Sequence, residues 1–302
     1  MDSKWISVIL LFFGMALFGS ATPISKLVGE GFPVFTASTL RVILGSLFLL
    51  PFTYKNFYIN YKSLNNQAWI EISFIALFGM VGFTVFLIIG MKYITGVAGS
   101  IIMSTTPAIT ALGAFVFLGS PLDWRRILAI IMGVAGIILI NIYKNDFVDP
   151  STSHFYLGVL FVLLAISCEA LYTLMGKKAT EKMDPLFTSF MACVLSIPLF
   201  LILSLSVDYQ EFYFSKVSAE YWHALLWWGM GTLGAGSALW YSGLKRAEGT
   251  TAAGFMSVMP LSALFLSYFL LNESFELIHL PGIFLVLGSI GIMSWVHMTS
   301  DQ

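Results

Sequence analysis

The chain has 302 residues, 58% of them hydrophobic and only 10% charged, with a mean hydropathy of +0.88 and a net charge of −1. A soluble globular domain carries roughly 25% charged residues, so a water-soluble fold is excluded; a lipid bilayer is the expected surrounding and no nucleic-acid partner is expected.

Ten apolar stretches follow one another, at 5–22, 34–52, 69–90, 97–118, 124–142, 155–175, 186–206, 222–242, 251–271 and 279–298. About 20 helical residues cross the roughly 30 Å hydrocarbon layer, and lipid demands that each backbone group be bonded within its own helix. The stretches lack the strict alternation and the ten-residue length of barrel strands. The expected fold is therefore an all-α polytopic membrane protein with ten transmembrane helices.

The first stretch follows Lys4 and ends near Gly19-Ser20-Ala21, which imitates a signal peptide. It matches Leu157 to Lys178 in the second half, which argues for a retained helix. Pro33-Val34-Phe35-Thr36 opens the second stretch, and Arg41 lies inside it. Glu71 stands at the entrance of the third. The fourth carries Ser104-Thr105-Thr106-Pro107 near its middle, and the fifth carries Gly133 and Gly136. Residues 143–154 read as a linker. The sixth stretch holds Cys168, Glu169 and Tyr172; Pro185-Leu186-Phe187-Thr188 opens the seventh, which holds Cys193. Trp228 and Trp240 lie in the eighth, Ser257-Val258-Met259-Pro260 in the middle of the ninth, and Gly288 and Gly291 in the tenth.

These phrases recur. Pro33 to Thr36 returns at Pro185 to Thr188 and Lys26 at Lys178, an offset of 152; Gly90-Met91-Lys92 returns at Gly243-Leu244-Lys245 and Pro107 at Pro260, an offset of 153. Gly133 and Gly136 find Gly288 and Gly291 at 155. A nearly constant offset with small loop insertions indicates duplication of a five-helix unit, here residues 1–145 and 150–300.

Charge sets the orientation. Lys4, Lys55, Lys62, Arg125, Arg126, Lys177, Lys178, Lys182, Lys245 and Arg246 share the face of the N-terminus, against Lys26, Lys92, Lys144 and Lys216 on the other. The positive-inside rule then puts both termini in the cytoplasm. Because five is odd, the two repeats are expected to be inverted, the architecture from which outward-open and inward-open states are built.

The connections are too short for a soluble catalytic or nucleotide-binding unit, and no glycine-rich phosphate loop is present. Energy is expected from a gradient or from exchange. Cys168 and Cys193 have neither disulfide nor metal spacing, and His154, His223, His279 and His297 fall at helix ends or in a loop. No catalytic residue, metal, cofactor or obligate protein partner is expected. Most of the eight tryptophans read as an aromatic belt near the span ends. Small residues, such as Gly79, Gly82, Gly133 and Gly136, suit close helix packing.

Two features inside the membrane point to a pathway. Pro107 and Pro260 each remove a backbone bond and leave a carbonyl that needs another donor, tolerable only against protein or a wet cavity. Glu169, about 14 residues into its stretch, falls near the midplane, where an ionised carboxylate is costly without water, a cation or donors. It suits an intramembrane hydrogen bond, a pairing with Arg41, a coupling proton or a substrate amine. Arg41 suits either a snorkelling role or contact with an anionic group.

The chain resembles the drug/metabolite transporter superfamily, in particular its ten-span family of paired EamA domains. The resemblance runs over residues 5–298 and rests on Leu17-Phe18-Gly19-Ser20-Ala21-Thr22-Pro23-Ile24-Ser25-Lys26, on Pro33 to Arg41, on the small-residue entries ending at Pro107 and Pro260, on Ala170-Leu171-Tyr172-Thr173 with Lys177-Lys178, and on Asn272-Glu273. It implies secondary transport of a small-molecule substrate from a central cavity framed by spans 1, 3, 4, 6, 8 and 9. Members export amino acids and other metabolites, while related branches carry sugar phosphates, nucleotide sugars or cationic drugs. A non-transporting membrane scaffold is the alternative from another class. This chain departs from the pattern at Ser120, where an acidic residue would match Glu273; at Cys193, opposite Arg41; and at Glu169, opposite Leu17.

The expected substrate or coupling group is Arg41, Ser104, Thr106, Pro107, Glu169, Tyr172, Trp228, Ser257 and Pro260. Few cations point inward, which favours a neutral or zwitterionic metabolite over a phosphorylated one. The expected location is a bacterial cytoplasmic membrane.

Overall fold

The structure is a computed structural model that describes residues 3–93, 99, 102–142, 154–208, 217–270 and 277–299. Among them regular structure is helical, without strands. The helices are α1 (Ser3–Gly31), α2 (Val34–Thr53), α3 (Phe57–Lys62), α4 (Asn66–Phe74), α5 (Phe83–Met91), α6 (Thr106–Leu118) and α7 (Trp124–Ile142) in the first half. The second half holds α8 (Phe155–Lys182), α9 (Pro185–Leu203), α10 (Ala219–Leu226), α11 (Gly236–Leu244), α12 (Gly249–Phe255), α13 (Val258–Leu270) and α14 (Leu280–Thr299). Residues 143–153 of the expected linker at 143–154, Lys216, Glu273 and most of the start of the fourth stretch lie outside the described residues.

Among the described residues, seven helical runs are long and apolar enough to cross a bilayer, including Lys4–Gly31, Asn66–Met91 and Phe155–Lys182, and Thr106–Leu118 is a shorter apolar helix. This is an integral membrane protein. Phe117 and Phe284, 75% and 68% exposed, belong to an outer surface that lipid covers. Trp124 and Trp295 are exposed as belt residues should be, but Trp240 is fully buried. Its place is the core, where α11 presses on α1.

Local chemistry fixes the helix ends. Asp184 caps α9, its carboxylate accepting from the amides of Leu186 (3.0 Å) and Phe187 (3.1 Å), with Pro185 in the first turn. Pro33 offers α2 no such cap; Asp208, from the other half, accepts from the Thr36 amide at 2.7 Å instead. Gly119, at φ 63°, ends α6 in the left-handed conformation that glycine adopts without strain.

The packing order is the same read from either half. α1 lies against α11, α13 and the segment Trp227–Ala235, and α8 lies against the repeat equivalents α5, α6 and Ile75–Gly82. α2 packs on its own counterpart α9, and α7 on α14. Gly90 shows why the interfaces are tight: a Cβ there would lie 3.0 Å from the Val162 nitrogen. Its equivalent Gly243 stands at the same distance from the Leu11 nitrogen.

Helical regularity fails at matched places. Ile75–Gly82 and Trp227–Ala235 are both π-helical, related by the offset that joins Pro107 to Pro260. Such segments are rare and concentrate at functional sites. The fourth stretch turns at Ser104-Thr105 before α6, and the ninth at Met256-Ser257 between α12 and α13. Proline accounts for both breaks, because it supplies no amide for the carbonyl four residues earlier.

Candidate functional site

Arg41 lies inside the bundle on α2 and keeps part of its surface accessible. Its guanidinium lies over the Trp228 ring, 4.6 Å from the centroid. That contact stabilises a desolvated cation by up to about 2 kcal/mol. Trp228 comes from the π-helical Trp227–Ala235, where the Thr232 hydroxyl donates to its carbonyl. Among the described residues, Arg41 Nε and Trp228 Nε1 have no hydrogen-bond partner. Cys193 and Tyr172 are titratable neighbours of Arg41. Cys193 is the repeat counterpart of Arg41, so packing of α2 on α9 brings the two equivalent positions together.

Tyr172, on α8, stacks on Tyr241 with centroids 5.0 Å apart and meets Phe18 edge-on at 6.4 Å. The Tyr241 hydroxyl donates to the Tyr172 carbonyl at 3.4 Å. Glu169 lies three residues before Tyr172, hence on the same side of α8. It too is half-buried, and its Oε2 has no hydrogen-bond partner among the described residues. Arg41 and Glu169 form no ion pair among the described residues. The acid and the base therefore stand within one bundle with no ion pair between them.

The break before α6 explains Thr106. Pro107 deprives the Met103 carbonyl of its amide donor, and the Thr106 hydroxyl donates to that carbonyl at 2.7 Å. Ser104, Thr106 and Pro107 are all buried there. In the other half the Met259 amide turns back to the Met256 carbonyl at 3.2 Å, and Pro260 is half-buried. Ser257 is not brought to this group. It is fully buried, and a Cβ on Gly133 of α7 would meet its hydroxyl, close to Ser289 of α14.

Closure at the end holding the N-terminus is built from both halves. Arg126, 2% exposed, forms an ion pair with Glu248 and donates from Nη1 to the Pro121 carbonyl at 3.1 Å. Glu248 holds the capping position of α12 without bonding its own helix; the Ser120 hydroxyl accepts from the Gly249 amide at 3.2 Å. Ser120, the repeat counterpart of Glu273, thus bonds across the interface between the halves. Outside this seam lies a cavity of about 450 Å³ lined by Lys4, Lys177, Glu181, Lys245 and Arg246 among others. Beside it Glu71, 3% exposed, accepts from Gln67 at 3.1 Å and faces Lys178 and Lys182 at 3.8 and 3.9 Å. Among the described residues no three His, Cys, Asp or Glu side chains converge in a metal-holding group.

Apolar helices long enough to cross a bilayer, broken at paired prolines around partly accessible charged and aromatic side chains, define a polytopic membrane transport protein. The family model for the EamA-like transporter family matches residues 5–142 and again 156–295, and the chain belongs to that family. It is similar to the Bacillus subtilis protein YetK, named an uncharacterized transporter, at 29% identity over 91% of this chain and 83% of that one. A further protein named an uncharacterized transporter, from Archaeoglobus fulgidus, is 27% identical over 96% of this chain and 98% of its own length. A chloroplastic WAT1-related protein of Arabidopsis thaliana is 24% identical over 97% of this chain and 69% of its own. A crystal structure superposes with a TM-score of 0.81 at 15% identity, over 98% of this chain and 99% of that one, and shares the fold.

Proposed function

We propose that this protein is a secondary transporter that moves a zwitterionic small metabolite, an amino acid or a compound of similar chemistry, outward across a bacterial cytoplasmic membrane by alternating access. One observation carries the substrate class: Arg41 and Glu169 are set within the bundle, part-accessible, each with an unpartnered polar atom and no ion pair between them. A carboxylate on Arg41 and an amine on Glu169 would satisfy both, with Trp228 and Tyr172 as apolar walls. Glu169 also suits the coupling proton. Protein electrostatics alone acts on the cargo, without catalytic chemistry or a cofactor.

The architecture proposed is ten membrane-crossing helices in two inverted five-helix repeats, residues 1–145 and 150–300, with both termini cytoplasmic. The matched packing of α1 and α8, the paired π-helical segments and the paired proline breaks support it. On this reading the Arg126–Glu248 and Ser120–Gly249 contacts close the cytoplasmic end, and the state described is shut on that side.

A thermal-shift screen of purified protein against amino acids, sugar phosphates and organic cations tests the cargo. Stabilisation by zwitterions is expected, and stabilisation by phosphorylated compounds alone would reverse the assignment. Reporter fusions within 143–154 are expected to report the external side; a cytoplasmic signal there would sink the topology.

A further inference from the structure

We propose, on the reading that the Arg126–Glu248 seam closes the cytoplasmic end, that the cavity outside it binds a phosphate-bearing anion and that the bound anion holds the seam shut. This site is separate from the one assigned to the cargo, and its ligand differs from the cargo in charge.

Both halves build the cavity. Leu118 to Pro121, at the end of α6, form one wall; Lys177 and Glu181, near the end of α8, and Lys245 to Glu248, between α11 and α12, form the other. Lys4, whose ammonium donates to the Met298 carbonyl at 3.3 Å, joins them. The volume of about 450 Å³ lies within the roughly 300–1,000 Å³ of small-molecule pockets.

Charge selects the ligand. The positive-inside rule accounts for cations that reach water, whereas the Lys177 side chain is only 15% exposed, its ammonium 3.6 Å from the Glu181 carboxylate. Lys245 and Arg246 also line the cavity and have no carboxylate partner among the described residues; the Arg246 guanidinium donates to the Ser242 carbonyl at 2.6 Å. Glu248, the other acid of the lining, is taken by Arg126. Three cations, Lys177, Lys245 and Arg246, thus share one uncommitted carboxylate, which leaves an excess of two positive charges. A phosphate monoester carries about −1.5 to −2 charge at pH 7 and three strong acceptor oxygens, so it neutralises that excess and offers each cation a charge-assisted hydrogen bond. A monocarboxylate supplies half the charge, and a zwitterion supplies none.

The cavity exists only while the seam is closed. Its walls are the segments that the seam joins: Ser120 accepts from the Gly249 amide at 3.2 Å, and Glu248 pairs with Arg126. Parting Ser120 from Gly249 would draw the walls apart. A ligand that binds one conformation alone shifts the equilibrium toward it, so the anion opposes opening. The repeat counterparts of Lys177, Lys245 and Arg246 are Ser25, Lys92 and Tyr93, so three cations here are not a requirement of the duplicated fold.

The test needs no cargo. Purified protein in phosphatidylcholine nanodiscs is followed by amide hydrogen exchange at Gly249 with added inorganic phosphate or AMP, against potassium chloride at equal ionic strength; a second set of nanodiscs contains phosphatidic acid. Exchange is expected to slow about tenfold at an anion concentration of about ten times Kd. An effect of the soluble phosphates assigns the site to a free phosphate compound, and an effect of phosphatidic acid alone assigns it to a lipid headgroup. Lys245→Gln combined with Arg246→Gln, or Lys245→Gln alone should the pair fail to fold, should weaken binding at least about tenfold, and Arg41→Met should leave it intact. No slowing by any phosphate, or equal slowing by chloride, would overturn the proposal. Slowing that is abolished by Arg41→Met but kept in the cavity variants would place the anion in the cargo site and overturn the zwitterion reading as well. A phosphate-dependent rise in melting temperature that needs Lys245 and Arg246, with exchange at Gly249 unchanged, would keep the site and overturn the seam's role in closure.

Discussion

Arg41→Met separates a binding arginine from a structural one. A structural arginine repays its burial through partners, whereas Arg41 has no carboxylate partner among the described residues and only the face of Trp228 beneath it. An arginine at mid-bilayer costs about 2.5–3.5 kcal/mol on an insertion scale, and a desolvated cation–π contact returns up to about 2 kcal/mol. Methionine has similar length, is apolar and is flexible enough to lie on the same ring. The substitution is therefore expected to stabilise the ligand-free protein by about 1 kcal/mol, raising its melting temperature by roughly 2–4 °C. The same change removes a charge-assisted hydrogen bond of about 1.5–3 kcal/mol to a substrate carboxylate, weakening binding by roughly 10–100-fold. Differential scanning fluorimetry with and without the zwitterion found by screening reads both quantities. A fall in ligand-free melting temperature with unchanged affinity would refute the reasoning and return Arg41 to a structural role.

Glu248→Gln and Arg126→Gln, combined in a double-mutant cycle read by thermal unfolding, are expected to show a coupling of about 1–3 kcal/mol, between the values for exposed and buried pairs; no coupling would mean that the seam is held by packing alone. Ser120→Ala should cost about 1 kcal/mol, as loss of a helix cap does, and should speed amide exchange at Gly249; unchanged exchange there would contradict the cross-half cap. Gly90→Val should destabilise by about 1–3 kcal/mol because its Cβ would approach the Val162 backbone, and Gly243→Val should do the same against Leu11; a neutral outcome at either would show that the interface opens freely.

Much of the frame is readable in the chain because duplication writes it twice. The offset that pairs Pro107 with Pro260 also pairs the two π-helical segments, which hydropathy alone does not show since every stretch is apolar. The departures at Glu169, Cys193 and Ser120 mark places where the halves differ in chemistry, and each has a distinct neighbour in the structure: Thr106, Arg41 and Gly249. What the sequence does not reveal is direction. A helix that is apolar all round has no polar stripe to orient it, so Ser257, beside a symmetric proline, reads as a pathway residue yet turns toward Gly133. Tyr241 escapes for a related reason. Its stacking on Tyr172 depends on how α11 is rotated against α8, and no repeat partner or motif marks it. Trp240 reads as one more belt tryptophan until the crossing of α1 and α11 buries it.

Transport of a zwitterion through the Arg41–Glu169 site is tested most directly by flux in reconstituted vesicles, with a panel of amino acids, sugar phosphates and organic cations under imposed pH and sodium gradients. The expected result is saturable flux of one zwitterionic class that responds to the pH gradient and falls sharply in Arg41→Met and Glu169→Gln. Flux confined to phosphorylated solutes, or undiminished in both variants, would contradict the account.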